Sequence, residues 1–390
     1  MRLNTLLGPA IAAIVIGAVL SIFLLVPLIA AQYRIWGTLS LGRLFLILAF
    51  IPYLLALPLY TLLPQNGTIE TLCHLSDRTL ANTHLFRFID DIRHQAAIHG
   101  WRSVPGSWAF LQAFLNVLFF VPLGAFLTRV YRIPRWVVVL IGAGTSLAIE
   151  LTQLTGNWGL SPCQYRYFDV DDLMLNTFGT IVGIAIAPAL ALFPGTNLKT
   201  SDRERVRPIT RKRRFIQLFC DGVIFILGTL AALVIVRLIL GLVGHGESER
   251  PVQAGVTLLT TCVLFVVIPL VNGGATIGER TVLIRIRRRD GRAAPWPSIL
   301  IKTMTGWGLL GVLSALATLG SSQASTARVL LVILALAVVL VDPQGMTCWL
   351  SGLRRVDERA LDPDGESARN AAPDRTTEPT PRSDHPPIRE

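Results

Sequence analysis

Apolar residues in this chain come in nine long blocks separated by polar connections. Most blocks reach the roughly 20 residues that a helix needs to cross the hydrocarbon core of a bilayer, where a helix satisfies all its own backbone hydrogen bonds. The first block is too long for the apolar core of a signal peptide, which has about 7 to 15 residues. The predicted membrane helices cover residues 5–31, 41–63, 109–128, 136–154, 170–193, 215–243, 252–271, 297–319 and 326–341.

The composition and the charge distribution agree with an all-α, polytopic transmembrane bundle. Of the 390 residues, 52% are hydrophobic and only 16% are charged, whereas a soluble chain carries about 25% charged residues. The net charge of +11 comes from Lys and Arg clustered between the apolar blocks. These clusters indicate topology rather than nucleic-acid binding, because cytoplasmic connections carry the basic excess. When nine helices alternate, most basic residues fall on one side, so we expect the N-terminus outside and the C-terminus in the cytoplasm.

The basic connection after the fifth helix divides the hydrophobic sequence into two halves. The last residues of the chain contain many prolines and no aromatic residue, a composition typical of disorder. The predicted organisation is an extra N-terminal helix at 1–40, a first membrane domain at 41–193, a basic cytoplasmic linker at 194–213, a second membrane domain at 214–356 and a disordered cytoplasmic tail at 357–390.

The long external connection between the second and third helices contains a helical apolar pattern. The apolar positions are Leu85, Phe88, Ile89, Ile92 and Ala96. Charged residues lie between them, so the pattern predicts an amphipathic helix on the outer bilayer surface. This helix is interpreted as a lid or spacer, with a binding element as the alternative.

Polar residues accumulate in and beside three apolar helices of the first domain. The candidate ligand-binding residues are Asn116, Glu150, Gln153, Arg166, Asp169, Asp172 and Asn176. Glu150 and Gln153 share one helix face. Asp169, Asp172 and Asn176 share another, from which Asp171 points away. The alternating helices place these groups in the outer third of the membrane, so we expect a small outward-facing polar site. Gly179 and Gly183 in the fifth helix are expected to let a neighbouring helix approach closely.

Buried carboxylates must be paired, protonated or bound to a metal, because an isolated charge is too costly in low dielectric. Arg166 offers a purely structural solution if it neutralises Asp169 or Asp172. Carboxylates with spare coordination would instead favour a hard cation such as Mg²⁺ or Ca²⁺. A third use is recognition, in which the guanidinium of Arg166 binds a phosphate or carboxylate. No cofactor other than such a cation is expected.

Four strings in the first domain resemble the VanZ-like family. They are YTLLP at Tyr60–Pro64, NVLFFVPLG at Asn116–Gly124, ELTQ at Glu150–Gln153 and RYFDVDDLMLNTFGTIVG at Arg166–Gly183. The resemblance covers about residues 41–192. It implies a multi-pass protein of the bacterial cell membrane, associated in some members with low-level resistance to the glycopeptide teicoplanin, and it implies no established reaction.

The second domain resembles the RDD family. The string RRFIQLFCD places Arg214 and Asp221 in that family's opening R-x₆-D, and residues 273–291 and 345–356 resemble its connector and closing segment. Three positions depart from the family: Glu279 replaces a usual Lys, Lys302 a usual Arg and Cys348 an expected Asp. The alternatives are an RDD-type transporter and a helical scaffold without activity.

The five cysteines show no metal-ligand spacing. Cys73 and Cys163 both fall in external connections, so a disulfide is predicted as one alternative if their Cα atoms approach within about 4.4 to 6.8 Å. Free alkylation of both thiols in intact cells would exclude it.

Three function classes follow. The first is a non-enzymatic envelope protein that recognises a lipid-linked cell-wall intermediate, a lipid head group or the glycopeptide itself. The second is a membrane-embedded hydrolase or transferase of phosphate-linked envelope lipids, which would need a cation and lacks a clear nucleophile. The third is a transporter, which would need a path across the membrane. The inner ends of the third to fifth helices are almost wholly apolar, and this counts against such a path.

Overall fold

The computed structural model describes residues 3–62, 81–160, 168–192, 205–243 and 249–361. The chain divides into two compact units, Met1–Arg203 and Glu204–Glu390. Their boundary falls inside the stretch 194–213 predicted as the linker. Residues 362–390 of the predicted tail lie outside the described residues.

Within the described ranges, nine helices are long and apolar enough to cross a membrane. The all-α polytopic fold is therefore confirmed. Large apolar side chains cover the outer faces of these helices; Leu238, for example, is 64% exposed. Lipid is the solvent in which such a surface is stable.

The first unit contains the helices and short strands that carry the polar residues. Its elements are α1 Leu3–Trp36, α2 Leu41–Leu62, β1 Ala81–Asn82, α3 Arg87–His99, α4 Trp108–Arg129, α5 Arg135–Leu154, β2 Phe168–Asp169 and α6 Val170–Ile186. The helix predicted to reach residue 193 continues beyond α6 only as a 3₁₀ turn, Ala187–Leu192. Strands β1 and β2 pair in parallel.

Helices α4 and α6 pack closely because glycines line their interface. A Cβ atom added at Gly179 would lie 2.1 Å from the Val117 carbonyl oxygen, and one added at Gly183 would lie 2.2 Å from that of Val121. Small residues at this spacing let membrane helices approach. The predicted role of these two glycines is confirmed.

The amphipathic pattern in the external connection forms α3. The helix begins at Arg87, after Phe86 in the left-handed region with φ of 67°. Ala96 is its buried apolar residue, whereas Leu85 precedes the helix and is exposed. The helix itself is as predicted, and its place on the bilayer surface stays a prediction.

The second unit consists of four long helices with a small elaboration at one end. Its elements are α7 Arg211–Val243, α8 Glu249–Val271, α9 Ile277–Thr281, β3 Ile284–Arg288, α10 Trp296–Thr318, α11 Ser322–Val341, α12 Met346–Leu350 and β4 Leu353–Asp357. Both α8 and α10 contain a π-helical segment, Val263–Val267 and Met304–Gly308, where Phe265 and Trp307 stack with ring centroids 4.6 Å apart.

Two predicted boundaries of the second domain need correction. Helix α7 begins at Arg211, inside the predicted linker. The prediction that the disordered tail starts at residue 357 is wrong, because Asp357 is the buried last residue of β4, which pairs antiparallel with β3. The composition of residues 357–390 suggested that the polar tail begins at Asp357. Strand β3, about 70 residues earlier in the chain, supplies the backbone hydrogen bonds that order β4.

Candidate functional site

The predicted polar residues of the first unit meet where α5 ends and α6 begins. Glu150 is only 1% exposed, and its Oε2 accepts a hydrogen bond from the backbone N–H of Asp169 at 2.9 Å. The pairing of β1 with β2 brings Asn82 beside Asp169, and the Asn82 Nδ2 donates to Asp169 Oδ1 at 3.2 Å. Asn82, a residue that the sequence patterns missed, therefore joins the external connection to the two helices.

Two further contacts connect α6 to its neighbouring helices. The side-chain amide of Asn116 on α4 donates a hydrogen bond to Asp172. One turn further along α6, the Asn176 Nδ2 donates to the hydroxyl of Ser146 on α5 at 2.9 Å. Side chains from three helices thus converge at one end of the unit, as the sequence predicted.

Gln153 is buried one turn beyond Glu150 on α5. Both residues make further interactions, as does Asp172. Arg166 lies outside the described residues. Its predicted pairing with Asp169 or Asp172 therefore stays a prediction. The cysteines of the predicted disulfide, Cys73 and Cys163, lie outside them as well.

Asp171 points away from the face shared by Asp172 and Asn176, as predicted, but it has a structural role that the sequence did not reveal. It is 2% exposed, and its two carboxylate oxygens accept hydrogen bonds from the backbone N–H groups of Phe86 and Phe88 at 2.7 and 3.0 Å. The first N–H groups of a helix have no acceptor within that helix. Asp171 supplies this acceptor for α3 and connects the start of α3 to the start of α6.

The predicted cation binding is not supported by the described acids. Asp169, the N-cap of α6, accepts from the side chain of Asn82 and from the backbone N–H of Asp171 at 2.9 Å. Asp171 accepts from two backbone groups. Over the ranges that the structure describes, no group of three or more His, Cys, Asp or Glu residues is placed to hold a metal ion.

The second unit contains a buried ionic cluster centred on the predicted Arg214 and Asp221. Along α7, Arg214 donates to Gln217, and Gln217 donates to Asp221. Asp221 is fully buried and also accepts from the Thr276 hydroxyl at 2.8 Å and from the backbone N–H of Gly278 at 2.7 Å. A Cβ atom at Gly278 would lie 2.6 Å from the Asp221 carboxyl carbon, so glycine is required there.

Glu279, a position that departs from the pattern expected of an RDD domain, is the carboxylate that the cations of this cluster share. Its carboxylate lies 2.6 Å from Lys302 Nζ, 3.0 Å from Arg355 Nε and 3.8 Å from Arg214. Burial by itself would raise the pKa of Glu279, but Lys302, Arg355 and Arg214 lower it from 4.5 to about 2. Glu279 also completes the capping box of α9 with Thr276. The carboxylate at position 279 therefore forms an ion pair with the cation at position 302.

A second ion pair at this end was missed by the sequence patterns. Arg213 Nη1 lies 2.8 Å from Asp357 Oδ2, and other guanidinium nitrogens of Arg213 donate to the carbonyl oxygens of Val282 and Leu283. Burial opposes ionisation of Asp357, yet bonds from Arg359 and Arg213 hold its pKa well below the usual range. Residues 353–357 are LRRVD and do not alternate between apolar and polar, so no period-2 pattern marked this strand in the sequence.

A family model described as VanZ/LLP1 matches residues 50–192. The match covers a little over a third of the chain and contains the α4–α6 polar cluster. The chain therefore carries a VanZ-like membrane domain, as the four sequence strings predicted. Neither a curated protein nor a solved structure gives a significant match to the chain.

Proposed function

We propose that this chain is a VanZ-like protein of the bacterial cell membrane that binds a cell-envelope ligand and thereby lowers susceptibility to teicoplanin. The proposed site is the polar end of α4, α5 and α6. Three ligands fit this proposal: a lipid-linked cell-wall intermediate, a lipid head group and the glycopeptide itself. The VanZ/LLP1 match supports the proposal because it includes the residues of this site.

The contact between Asp171 and the start of α3 is the observation that carries the proposal. Asp171 joins α3 to the same end of the unit at which Glu150, Asp169 and Asp172 converge. A polar end with an attached helix is pre-organised, and pre-organisation lowers the entropy lost on binding. We therefore favour recognition at one membrane face over passage through the unit.

Recognition also fits the chemistry better than hydrolysis does. The alternative, a hydrolase or transferase of phosphate-linked envelope lipids, needs a cation or an activated nucleophile. In the described part of the site, Asp169 and Asp171 are occupied by backbone and amide donors. Divalent-cation-dependent release of phosphate by the purified protein would favour the enzyme over the binder.

The second alternative is an RDD-type transporter, and the buried cluster of the second unit favours it. Ionisable residues inside membrane proteins mark transport paths in many cases, and Asp221 and Glu279 are both fully or almost fully buried. In this alternative, residues 214–356 form an RDD-type domain. Solute or proton flux into liposomes that contain the purified chain would support it.

The test of the proposed function is antibiotic susceptibility in a sensitive Gram-positive host. The host expresses the wild type, Glu150→Ala, Asp172→Ala and the control Asp91→Ala, an exposed acid on α3. Immunoblots check that membrane levels are equal. We expect wild type and Asp91→Ala to lower teicoplanin susceptibility, with little effect on vancomycin, and both site variants to lose the effect. No protection by correctly inserted wild type would contradict the proposal.

A further inference from the structure

The second unit contains a cavity of about 690 Å³ that is charged at one end and mostly apolar along its length, with Arg328 at the opposite end. Helices α7, α10, α11 and α12 contribute to its wall. Most of the lining is apolar and includes the stacked aromatic residues Phe265 and Trp307 of the two π-helical segments. The charged end is formed by Arg214, Lys302, Arg355 and Glu279.

The charged end has an excess of positive charge. In the described part of this unit, the cations Arg214, Lys302 and Arg355 face the carboxylate of Glu279, and Asp221 lies behind Gln217. Two carboxylates thus stand against three cations. An unbalanced charge in a low-dielectric site is costly, so the cluster is complementary to one further anionic group.

Arg214 is the cation with an unused donor. Its side chain lines the cavity and is about 5% exposed, and Nη1 donates to Gln217. Its Nε is buried and has no hydrogen-bond partner among the residues that the structure describes. A buried donor without an acceptor is destabilising, whereas a phosphate oxygen in the cavity would satisfy it.

The length of the cavity matches one leaflet of a bilayer. Its lining runs along α7 from Arg214 to Ile226 and along α11 from Val339 to Arg328. At 1.5 Å per residue these stretches are about 16 to 18 Å long. Half of a hydrocarbon core of about 30 Å is about 15 Å. A molecule with a charged head at Arg214 and an apolar tail of leaflet depth therefore fits the cavity.

The charged end lies beside the strongly basic pair of strands β3 and β4, and the positive-inside rule assigns such an end to the cytoplasm. Segments of this chain outside the described residues are poor alternatives as occupants. Residues 193–204 and 362–390 contain few large apolar side chains. A free inorganic anion would leave the apolar wall, including Trp307 and Val332, without a partner.

We propose that this cavity binds one anionic phospholipid of the cytoplasmic leaflet, with its phosphate at Arg214 and an acyl chain between α7 and α11. The phosphate accepts a charge-assisted hydrogen bond from the guanidinium. The acyl chain covers the apolar wall of the cavity. This lipid site is independent of the proposed envelope-ligand site in the first unit.

Photo-crosslinking of the full-length chain in proteoliposomes tests the site. The probes are phosphatidylglycerol and phosphatidylcholine with the same diazirine-bearing acyl chain, and peptide mass spectrometry maps the adducts. We expect adducts on α7 and α11 and about a tenfold preference for phosphatidylglycerol, because both lipids carry the phosphate but the choline of phosphatidylcholine adds a cation that Arg214, Lys302 and Arg355 repel. Equal labelling by both lipids, or adducts confined to other helices, would overturn the proposal.

A charge variant with a matched control separates the contact between Arg214 and the head group from general electrostatic attraction of anionic lipid to the basic surface. Arg214→Gln removes the unused donor, and Arg211→Gln removes an exposed charge one turn earlier on the same helix. We expect Arg214→Gln to lose the preference for phosphatidylglycerol and Arg211→Gln to retain it. Equal loss in both variants would mean that the basic surface alone attracts the lipid, which contradicts the site.

A second pair of variants keeps the test informative if Arg214→Gln does not fold. Ala335 lies on the apolar wall of the cavity, one turn from Val339, whereas Ala337 on the same helix is exposed and does not line the cavity. Ala335→Trp should reduce labelling of α7 by both lipids, and Ala337→Trp should not. Unchanged labelling of α7 in Ala335→Trp would overturn the proposal.

Discussion

Asp171 Oδ1 lies 2.7 Å from the backbone nitrogen of Phe86, although 85 residues separate the two along the chain. The second oxygen of the same carboxylate accepts from Phe88. Both donors belong to the start of α3. A single buried acid thus attaches the start of this helix to α6.

Replacing Asp171 with alanine is expected to detach α3 without unfolding the unit. Two backbone N–H groups lose their acceptor, at a local cost of about 1 to 3 kcal/mol each if they remain buried. Hydrogen exchange of the protein in nanodiscs should become faster in residues 87–99 and stay unchanged in α4 and α5. The exposed Asp91→Ala on α3 is the control, and equal acceleration in both variants would contradict this role of Asp171.

The close packing of α4 on α6 predicts that Gly179→Ala is destabilising. The added Cβ would lie 2.1 Å from the Val117 carbonyl oxygen, so the helices must separate. We expect a loss of about 1 to 3 kcal/mol, typical of overpacking, seen as a lower Tm in detergent. Gly144→Ala on α5 is the matched control, because a Cβ atom added there would meet no neighbouring atom within 4 Å. A Tm for Gly179→Ala equal to that control would disprove the packing argument.

Glu279→Gln should be strongly destabilising, because it removes the carboxylate that Lys302 and Arg355 share. Breaking a buried ion pair by removal of one partner costs about 3 to 5 kcal/mol. Thermal unfolding of the purified chain measures the loss. An exposed acid of the same unit provides the control. Asp290→Asn in the turn after β3 removes a surface pair with Arg288 and keeps an oxygen that can accept from the backbone N–H of Arg292, so it should change stability by less than about 1 kcal/mol.

The same carboxylate predicts how stability depends on pH. The pKa of Glu279 is about 2 in the folded protein against an ordinary value of 4.5. Its ionised form therefore stabilises the fold fully above pH 4.5, and this contribution is lost as the pH falls from 4.5 towards 2. The lowered pKa of Asp357 acts in the same direction. Between pH 7 and pH 3, the free energy of unfolding of the wild type should fall more steeply than that of Glu279→Gln. Parallel curves for the two proteins would refute this account.

The orientation derived from basic residues is testable with single cysteines. In a background with Cys73, Cys163 and Cys262 changed to serine, Tyr131→Cys between α4 and α5 should react with an impermeant maleimide only after cells are permeabilised. Tyr131 is 58% exposed, so access to the side chain is not limiting. The equally exposed Ile98→Cys on α3 should react in intact cells. Labelling of Tyr131→Cys in intact cells would reverse the orientation.

Local sequence patterns were sufficient to predict the membrane helices and most of the polar site. Apolar block length depends only on neighbouring residues, and so does the spacing that puts Glu150 and Gln153 on one face of α5. Gly179 and Gly183 were recognisable as close-packing positions for the same reason. The alternation of the helices then placed Asn116, a residue of α4, at the same end of the unit.

The contacts that depend on distant partners could not be predicted in this way. Asn82 reaches Asp169 through a two-residue strand pairing, and Asp357 meets Arg213 across 144 positions. Nothing in the residues around Asp357 distinguishes it from the acids of a solvated tail. Its burial results from the fold of the whole unit.

The sequence by itself determined that this chain crosses a membrane, where its helices lie and which polar groups share a helix face, because these properties follow from hydrophobicity and helical period. Tertiary structure alone decided which buried charge meets which partner. Lys302 and Glu279 each look like a departure from a pattern until the fold places them 2.6 Å apart. In a low-dielectric interior the free energy of a charge depends on its neighbours in space, and a linear sequence does not specify those neighbours.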